Sequence, residues 1–181
     1  MYLTESGLNP DQPQASSAAT RAMPLLGPAH LLQAISGRCA GTLPLVRWAR
    51  ELGDMHAELT AHDLHRTQKQ RSRSSHFVYA EATAEIERVV NDIDAWAARH
   101  IPRVKCARKH THSLGEVISH IAKIYAETWW TVLHSADTEA RHEAWLRLGE
   151  AREGYTEMVN EIRAQHLQLP LGWGGMQSGH R

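Results

Sequence analysis

The chain has 181 residues, and its 20 Lys and Arg residues balance its 20 Asp and Glu residues, so the formal net charge at pH 7 is zero. This length suits one domain with its own core, and the balanced charge excludes a global attraction to nucleic acid or to an anionic membrane. The two cysteines form no Cys-x-x-Cys pair, so neither a disulfide framework nor a structural zinc site of ordinary spacing is indicated. We therefore expect a cytoplasmic protein.

The two ends of the chain differ in composition from the middle. Residues 1–22 are rich in Ser, Ala, Gln, Thr and Pro and lack the features of a secretion signal, which predicts a disordered leader. Residues 171–181 are glycine-rich and predict a flexible tail. No apolar run approaches the roughly 20 residues that cross a bilayer. Residues 23–170 are expected to form the folded domain, without a membrane span.

The first two helices are predicted from the spacing of apolar residues. Helical spacing starts at Pro28 and stops at Gly37, which predicts a short first helix. A second helix begins near Pro44, and its polar end, residues 66–76, either extends it or forms a loop. Its apolar stripe consists of Leu45, Trp48, Ala49, Leu52, Met55 and Leu59.

The third helix is predicted to end at Pro102 and to be followed by a cationic loop over 103–112. Arg88 and Asp92 lie one turn apart on its polar face and should form a weak surface pair. Its apolar face consists of Ile86, Val89, Val90, Ile93, Trp96 and Ala97.

The start of the fourth helix is the clearest local signal. Ser113 and Glu116 have the Ser-x-x-Glu spacing of a capping box, in which each side chain satisfies a backbone N–H at the helix start. The wide apolar stripe that follows predicts that this helix is central in the domain. The stripe consists of Leu114, Val117, Ile118, Ile121, Ile124, Tyr125, Val132 and Leu133.

The fifth helix is predicted to begin at the N-cap residue Asp137 and to run toward Leu169-Pro170. Gly149 and Gly154 inside it predict a close backbone approach or a bend. No segment shows strand alternation, so the predicted fold class is all-α, an antiparallel bundle of four to five helices. The residues expected to face inward on the fifth helix are Trp145, Leu148, Tyr155, Val159 and Ile162.

Three fragments, in order, carry a family resemblance. The first fragment runs from Pro44 to His56 and is similar to an early helix of the family that contains Leu and His. The second is the Ile-Asp-x-Trp segment that ends at Trp96 and is preceded by Arg88. The third runs from His110 to Gly115 and begins with His-Thr. Over about residues 43–163 they resemble the bacterial and phage family known as domain of unknown function 4254. The family-motif residues are His56, Arg88, Asp94, Trp96, His110, Thr111 and Gly115.

The resemblance implies an all-helical domain that is frequent in actinobacteria and their bacteriophages and has no established reaction. This chain departs from the family pattern at His112, where the family has Glu, and at Ser119-His120, where it has Asp-Arg. These departures argue against transferring an acid-dependent activity to this chain.

Two metal-site hypotheses arise from histidines. His110, His112, Glu116 and His120 are spaced so that a divalent transition metal could bind at the helix start, but the capping role of Glu116 is the simpler explanation. His62-Asp63 is typical of metal-dependent phosphohydrolases, and its further ligands would come from His30, Asp92, Asp94 or Asp137. The ordinary role of these residues, at exposed helix ends, is preferred.

Buried polar residues and basic runs have ordinary interpretations too. His56 lies in an apolar stripe, which predicts a core histidine with a buried partner rather than a general base. Asp94 is predicted to clamp two helices by accepting a hydrogen bond from a Trp or from a basic residue of a neighbouring helix. The basic runs are Arg66, Lys69, Arg71 and Arg73, followed by Phe77 and Tyr79, and Arg103, Lys105, Arg108 and Lys109. If the two basic runs mark the ends of the third helix, they lie about 30 Å apart and cannot act together as one phosphate-binding site. We therefore expect solvated loops and no nucleic-acid partner.

Adjacent Trp129 and Trp130 lie about 100° apart on the fourth helix, so one can enter the core while the other faces out. We expect Trp130, with Tyr125 and Trp145, to mark a contact surface for a second copy or another protein, although the fifth helix could cover both rings. The favoured hypothesis is a non-enzymatic, plausibly phage-encoded protein that binds a host or phage protein and needs no cofactor. The alternatives are a metal-dependent hydrolase and a nucleic-acid-binding protein.

Overall fold

The computed structural model describes residues 24–66 and 73–170, with side chains over 24–63 and 79–170. The predicted leader and tail, together with Lys69 and Arg71 of the first basic run, lie outside the described residues. The described chain contains helices α1 (Pro28–Ile35), α2 (Pro44–Arg66), α3 (Arg73–His100), α4 (Leu114–His134) and α5 (Thr138–Arg163). The predicted all-α helical bundle is confirmed.

Helix α4 is the centre of the bundle, as its wide apolar stripe predicts. It packs against α2, α3 and α5, while α1 packs against α2 and α5. Leu114 and Ile118 are fully buried in the shared core. The stripe ends sooner than predicted, because Leu133 in the last turn of α4 is 64% exposed.

The extended segment before α1 is fixed to α5 by side-chain hydrogen bonds to its backbone. The buried Tyr155 hydroxyl donates to the Leu26 carbonyl oxygen at 2.9 Å, and an Arg163 N–H donates to the Leu25 carbonyl oxygen at 3.2 Å. Both leucines are buried. The first described residues are therefore part of the core rather than a linker.

The helix ends follow the sequence signals where these exist. Gly37, with φ of +70°, ends α1 by donating to the Ala34 carbonyl oxygen at 3.0 Å. The capping box at Ser113 and Glu116 is present with both of its hydrogen bonds, and the Asp137 side chain accepts from the Glu139 N–H at the start of α5. These three predictions are confirmed.

Two features of the fold differ from the sequence expectations. A short parallel pair joins β1 (Arg108–Lys109) in the cationic loop to β2 (Leu167–Gln168) after α5, although no strand is predicted there. A methyl group added at Gly149 or Gly154 would meet nothing within 4 Å, so the predicted close approach at these glycines is wrong. The close approaches lie instead at Gly53, against Ile35, and at Gly115, against Val90.

In the part of the chain that the structure describes, no helix is both long enough and apolar enough to cross a membrane.

Candidate functional site

Three aromatic side chains form a cluster on the hairpin of α4 and α5. Tyr125 and Trp129 lie one turn apart on α4 and stack with ring centroids 6.2 Å apart. Trp145 on α5 meets Trp129 edge to face, with centroids 6.3 Å apart. We call Tyr125, Trp129 and Trp145 the aromatic cluster.

The aromatic cluster is open to solvent and continues into exposed leucines. Trp129 is 38% exposed and Trp145 is 48% exposed, and the neighbouring Leu133 and Leu146 are more exposed still. Trp129 and Leu133 also line a cavity of about 270 Å³ that reaches Ile35 at the end of α1. Four of the six exposed large apolar side chains among the described residues lie on α4 and α5, and the other two are Leu43 and Tyr79.

The structure reverses two expectations about these tryptophans. Trp129 is the exposed member of the adjacent pair, whereas Trp130 is half-buried and stacks on His134 with ring centroids 3.9 Å apart. Trp145 does not face inward, because its ring packs against Trp129 at the surface rather than in the core. The spacing of Tyr125, Trp129 and Leu133 at i, i+4 and i+8 places these three residues on one face of α4, and the role of Trp130 in a contact surface stays a prediction.

A second concave region lies between α2, α3 and α4. One cavity of about 570 Å³ is lined by Glu116, Ser119 and His120 of α4 and by residues of α3, and a second of about 520 Å³ reaches Arg147 of α5. Both cavities are also lined by His56 and Lys123, so they adjoin there. We call the two cavities together the polar groove.

Charges of both signs line the polar groove. The Lys123 ammonium lies 3.9 Å from the Glu127 carboxylate, and an Arg147 nitrogen lies 4.0 Å from the same carboxylate. Both distances are at the long limit for an ion pair, and both cations are more than half exposed. Water screens such pairs, so they stabilise the fold little and leave Lys123 able to turn toward a ligand.

His56 lies at the junction of the two cavities and is buried, as predicted, although its hydrogen-bond partner Ser119 is only half-buried. Its Nε2 lies 3.0 Å from the Ser119 Oγ, and the side chain is only 9% exposed. Burial, followed by the nearby Lys123 and His120, lowers the pKa of His56 from 6.5 to about 4. The imidazole is therefore uncharged at neutral pH.

The proposed metal ligands do not come together. His110 and His112 face each other with ring centroids 5.9 Å apart, Glu116 accepts the Ser113 N–H, and His120 faces the polar groove. Among the side chains described over 24–63 and 79–170, no group of three or more His, Cys, Asp or Glu residues could hold a metal ion.

The residues of the phosphohydrolase hypothesis are likewise dispersed over the fold. Asp92 pairs with Arg88, Asp94 is buried beneath α4, and Asp137 caps α5. His30 lies 3.0 Å from the Cys39 sulfur. None of these four residues lines a cavity with Asp63, which faces the polar groove.

The family-motif residues Asp94 of α3 and Gly115 of α4 are in direct contact. The Asp94 Oδ1 accepts the Gly115 N–H at 2.8 Å, and the Ser113 hydroxyl donates to the same carboxylate. Burial raises the pKa of the Asp94 carboxyl above its ordinary value, and the two hydrogen bonds oppose that effect. Asp94 is therefore the predicted helix clamp, with a helix N-terminus as its donor rather than a Trp or a basic residue.

The other motif residues also have structural contacts. Arg88 pairs with Asp92 at 2.8 Å, as predicted, and additionally reaches Glu51 of α2 at 2.6 Å. Trp96 is buried and stacks on His100. Thr111 Oγ1 lies 2.9 Å from the His112 Nδ1 in the loop before α4. Most of the motif residues whose side chains are described thus make contacts between two helices.

The described basic side chains are solvated, as expected. Arg103, Lys105, Arg108 and Lys109 are all exposed, and Arg108 pairs with Glu161 of α5 at 2.6 Å. Helix α3 begins at Arg73, one member of the first basic run, and its 28 residues span about 42 Å, so the backbone at Arg73 lies farther from the second run than the spacing expected from the sequence.

Comparisons with protein-family models, curated proteins and solved structures found no match to this chain. The resemblance to the family of domain of unknown function 4254 stays a prediction from its motifs.

Proposed function

We propose that this chain is a helical protein-interaction protein whose primary role is to bind another protein through the aromatic cluster. The observation that supports this is the exposure of Trp129 and Trp145, which lie edge to face, with exposed Leu133 one turn beyond Trp129 on α4. Tryptophan and tyrosine are enriched among the residues that carry binding energy at interfaces, and a contiguous apolar patch on a domain surface marks a contact site.

The partner is either a second copy of the chain or another protein. The family resemblance favours a host or phage protein as the second kind of partner. Cys39 and Cys106 are free thiols, which supports a reducing compartment such as the cytoplasm. The hydrolase and nucleic-acid alternatives have less support, because the residues they need are dispersed or solvated.

Light scattering on size-exclusion fractions tests self-association. If a second copy is the partner, the molar mass rises toward that of a dimer with concentration, and Trp129→Ala shifts the midpoint at least about 30-fold, because a hot-spot truncation costs about 2 kcal/mol or more. Tyr79→Ala is the matched control, since this aromatic side chain is 43% exposed and lies on α3, outside the aromatic cluster.

Photo-cross-linking in the native host tests for another protein. A photoreactive phenylalanine in place of Trp145 should give a protein adduct, whereas the same group in place of Glu153, an exposed residue of the same helix, should give none. Trp129→Ala should abolish the adduct. A chain that is monomeric at every concentration and gives no adduct at position 145 would refute the proposal.

A further inference from the structure

The polar groove contains a serine hydroxyl that is hydrogen-bonded to a buried imidazole. The Ser119 Oγ and the His56 Nε2 are 3.0 Å apart, although the two residues are 63 positions apart in sequence. Ser119 is half-buried and lines the cavity of about 570 Å³, so a small molecule in that cavity can reach its hydroxyl. The aromatic cluster does not involve this pair.

We infer that Ser119 is a nucleophile and His56 its general base, and that the polar groove cleaves esters by acyl transfer to Ser119. A serine within hydrogen-bond reach of an imidazole is the arrangement that converts a weakly nucleophilic hydroxyl into a reactive one. The inference is independent of the aromatic cluster and of any protein partner.

The charge state of the imidazole suits this role. Because the pKa of His56 is lowered to about 4, the ring is neutral at pH 7 and its Nε2 lone pair can accept the Ser119 proton. This requires the tautomer with the proton on Nδ1. The same lowered pKa makes His56 a weaker base than an exposed histidine, which limits the rate that the pair can reach.

The reaction balances with these groups and water alone. The Ser119 Oγ forms a bond to the ester carbonyl carbon while its proton moves to the His56 Nε2. The carbon–oxygen bond to the leaving alcohol then breaks, the alcohol takes that proton, and the acyl group stays on Ser119. Water, deprotonated by the same imidazole, then attacks the acyl-serine and releases a carboxylic acid and the free hydroxyl.

The developing oxyanion has a cation beside it but no backbone donors. Lys123 lies one turn beyond Ser119 on the same face of α4 and lines both cavities with His56. Ser119 lies inside α4, so the amides around it are used in the helix, and each missing oxyanion donor costs about 10²- to 10³-fold in rate. The substrates are therefore activated esters rather than amides.

The test is labelling of the intact chain with a fluorophosphonate, followed by peptide mass spectrometry. In the wild-type protein we expect the label on Ser119 and none on Ser36, whose hydroxyl is bonded to the Gln33 carbonyl instead of an imidazole. With p-nitrophenyl acetate we expect a burst of one nitrophenolate per chain. An unlabelled Ser119 in wild-type protein overturns the inference without need of any variant.

Two histidine variants separate a general base from a structural partner. His56→Gln should lower the labelling rate of Ser119 about 100-fold or more, which is the usual contribution of general-base catalysis. His100→Gln, which changes an imidazole at the end of α3 that stacks on Trp96 outside the polar groove, should change that rate less than about threefold. Equal rates in wild-type protein and in folded His56→Gln would show that His56 is only a packing partner.

Discussion

Gly115 brings the backbones of α3 and α4 closer together than any other residue type would allow. A methyl group at this position would lie 2.4 Å from the Val90 carbonyl oxygen and 3.0 Å from the Asp94 Oδ1. Both neighbours are fixed, one as helix backbone and the other as a buried carboxylate that accepts the Gly115 N–H. The glycine is therefore required for contact rather than for an unusual φ.

Gly115→Ala should destabilise the protein by about 2 kcal/mol or more, since overpacking against immobile groups costs about 1–3 kcal/mol and the Asp94 hydrogen bond is strained as well. Gly149→Ala is the matched control on α5. Nothing lies within 4 Å of its added methyl group, so helix propensity should make it more stable by about 1 kcal/mol. Urea unfolding followed by circular dichroism measures both. Equal effects in the two variants would contradict the close approach.

The buried imidazole of His56 predicts a loss of stability in acid. Between pH 6.5 and pH 4 an unfolded chain binds a proton that the native imidazole, with its pKa of about 4, does not bind. The free energy of unfolding should therefore fall by about 2 kcal/mol from pH 7 to pH 5, at about 1.4 kcal/mol per tenfold difference in proton affinity. Above pH 6.5 the effect is absent.

The control for this prediction is His56→Gln, whose unfolding free energy should fall less over the same range. Asp94 acts in the opposite direction, because its raised pKa makes the native state bind a proton first as the pH falls. That contribution is present in both proteins and cancels in the difference. Parallel curves for wild-type protein and variant would contradict the assignment.

At the scale of elements, the start of α4 is held by two sets of contacts. The capping box satisfies the Ser113 and Glu116 N–H groups from within the helix, and Asp94 of α3 satisfies the Gly115 N–H from outside it. The second set couples the start of α4 to a neighbouring helix. Glu116 in the same turn lines the polar groove, so the position of that wall of the groove depends on the contact between α3 and the start of α4.

Asp94→Ala should destabilise the protein by about 1–3 kcal/mol, because it leaves the buried Gly115 N–H without an acceptor. Asp94→Asn should cost less, since its amide oxygen can still accept that N–H. Hydrogen exchange locates the effect, and faster exchange should be confined at first to amides 114–117. Faster exchange spread evenly over α3 and α4 would argue against a local clamp.

Helix boundaries were predictable where a side chain or a glycine marks them. Ser113, Glu116 and Asp137 are polar capping residues, and Gly37 supplies the positive φ that ends α1. The end of α5 uses the same geometry as the end of α1, but the residue with positive φ there is Gln165. The turn before β1 likewise uses Cys106. Neither residue type indicates a left-handed turn, so the short strand pair could not be predicted.

The candidate sites were less predictable than the helices, because they depend on which helices meet. Periodicity places Trp145 on an apolar stripe, but only the packing of α5 on α4 shows that the ring ends on Trp129 at the surface. The apolar periodicity of α2 also predicts that His56 is buried, but the hydrogen bond between His56 and Ser119 depends on how α2 and α4 are aligned. Contacts between distant residues leave no local pattern in one sequence.

At the scale of the whole molecule, α4 carries both candidate sites. Ser119 and Lys123 line the polar groove in the first half of the helix, and its second half supplies Tyr125 and Trp129 of the aromatic cluster, whose third member, Trp145, lies on α5. Because α4 packs against α2, α3 and α5, it is the element least free to move. Each site is thus formed on a rigid support, and a substitution in one should leave the other intact.

The zero formal charge of the chain at pH 7 predicts how molecules interact in solution. Without net repulsion, the exposed aromatic cluster should make the diffusion coefficient from dynamic light scattering fall as concentration rises. Histidine is the side chain whose ordinary pKa lies nearest neutrality, so the chain should gain positive charge on acidification from histidines other than the buried His56, and at pH 6 the slope should become less negative. Salt at about 0.5 M should restore the attraction, because it screens the added charge.

The variant that separates charge from apolar contact replaces both exposed tryptophans. In Trp129→Ala/Trp145→Ala the formal charge is unchanged, so a slope set by charge alone would match that of the wild-type protein at each pH. We expect instead a weaker attraction at pH 7 that changes less with salt, because the aromatic cluster is the surface through which neutral molecules meet. Identical slopes for the two proteins would assign the attraction to some other surface of the chain.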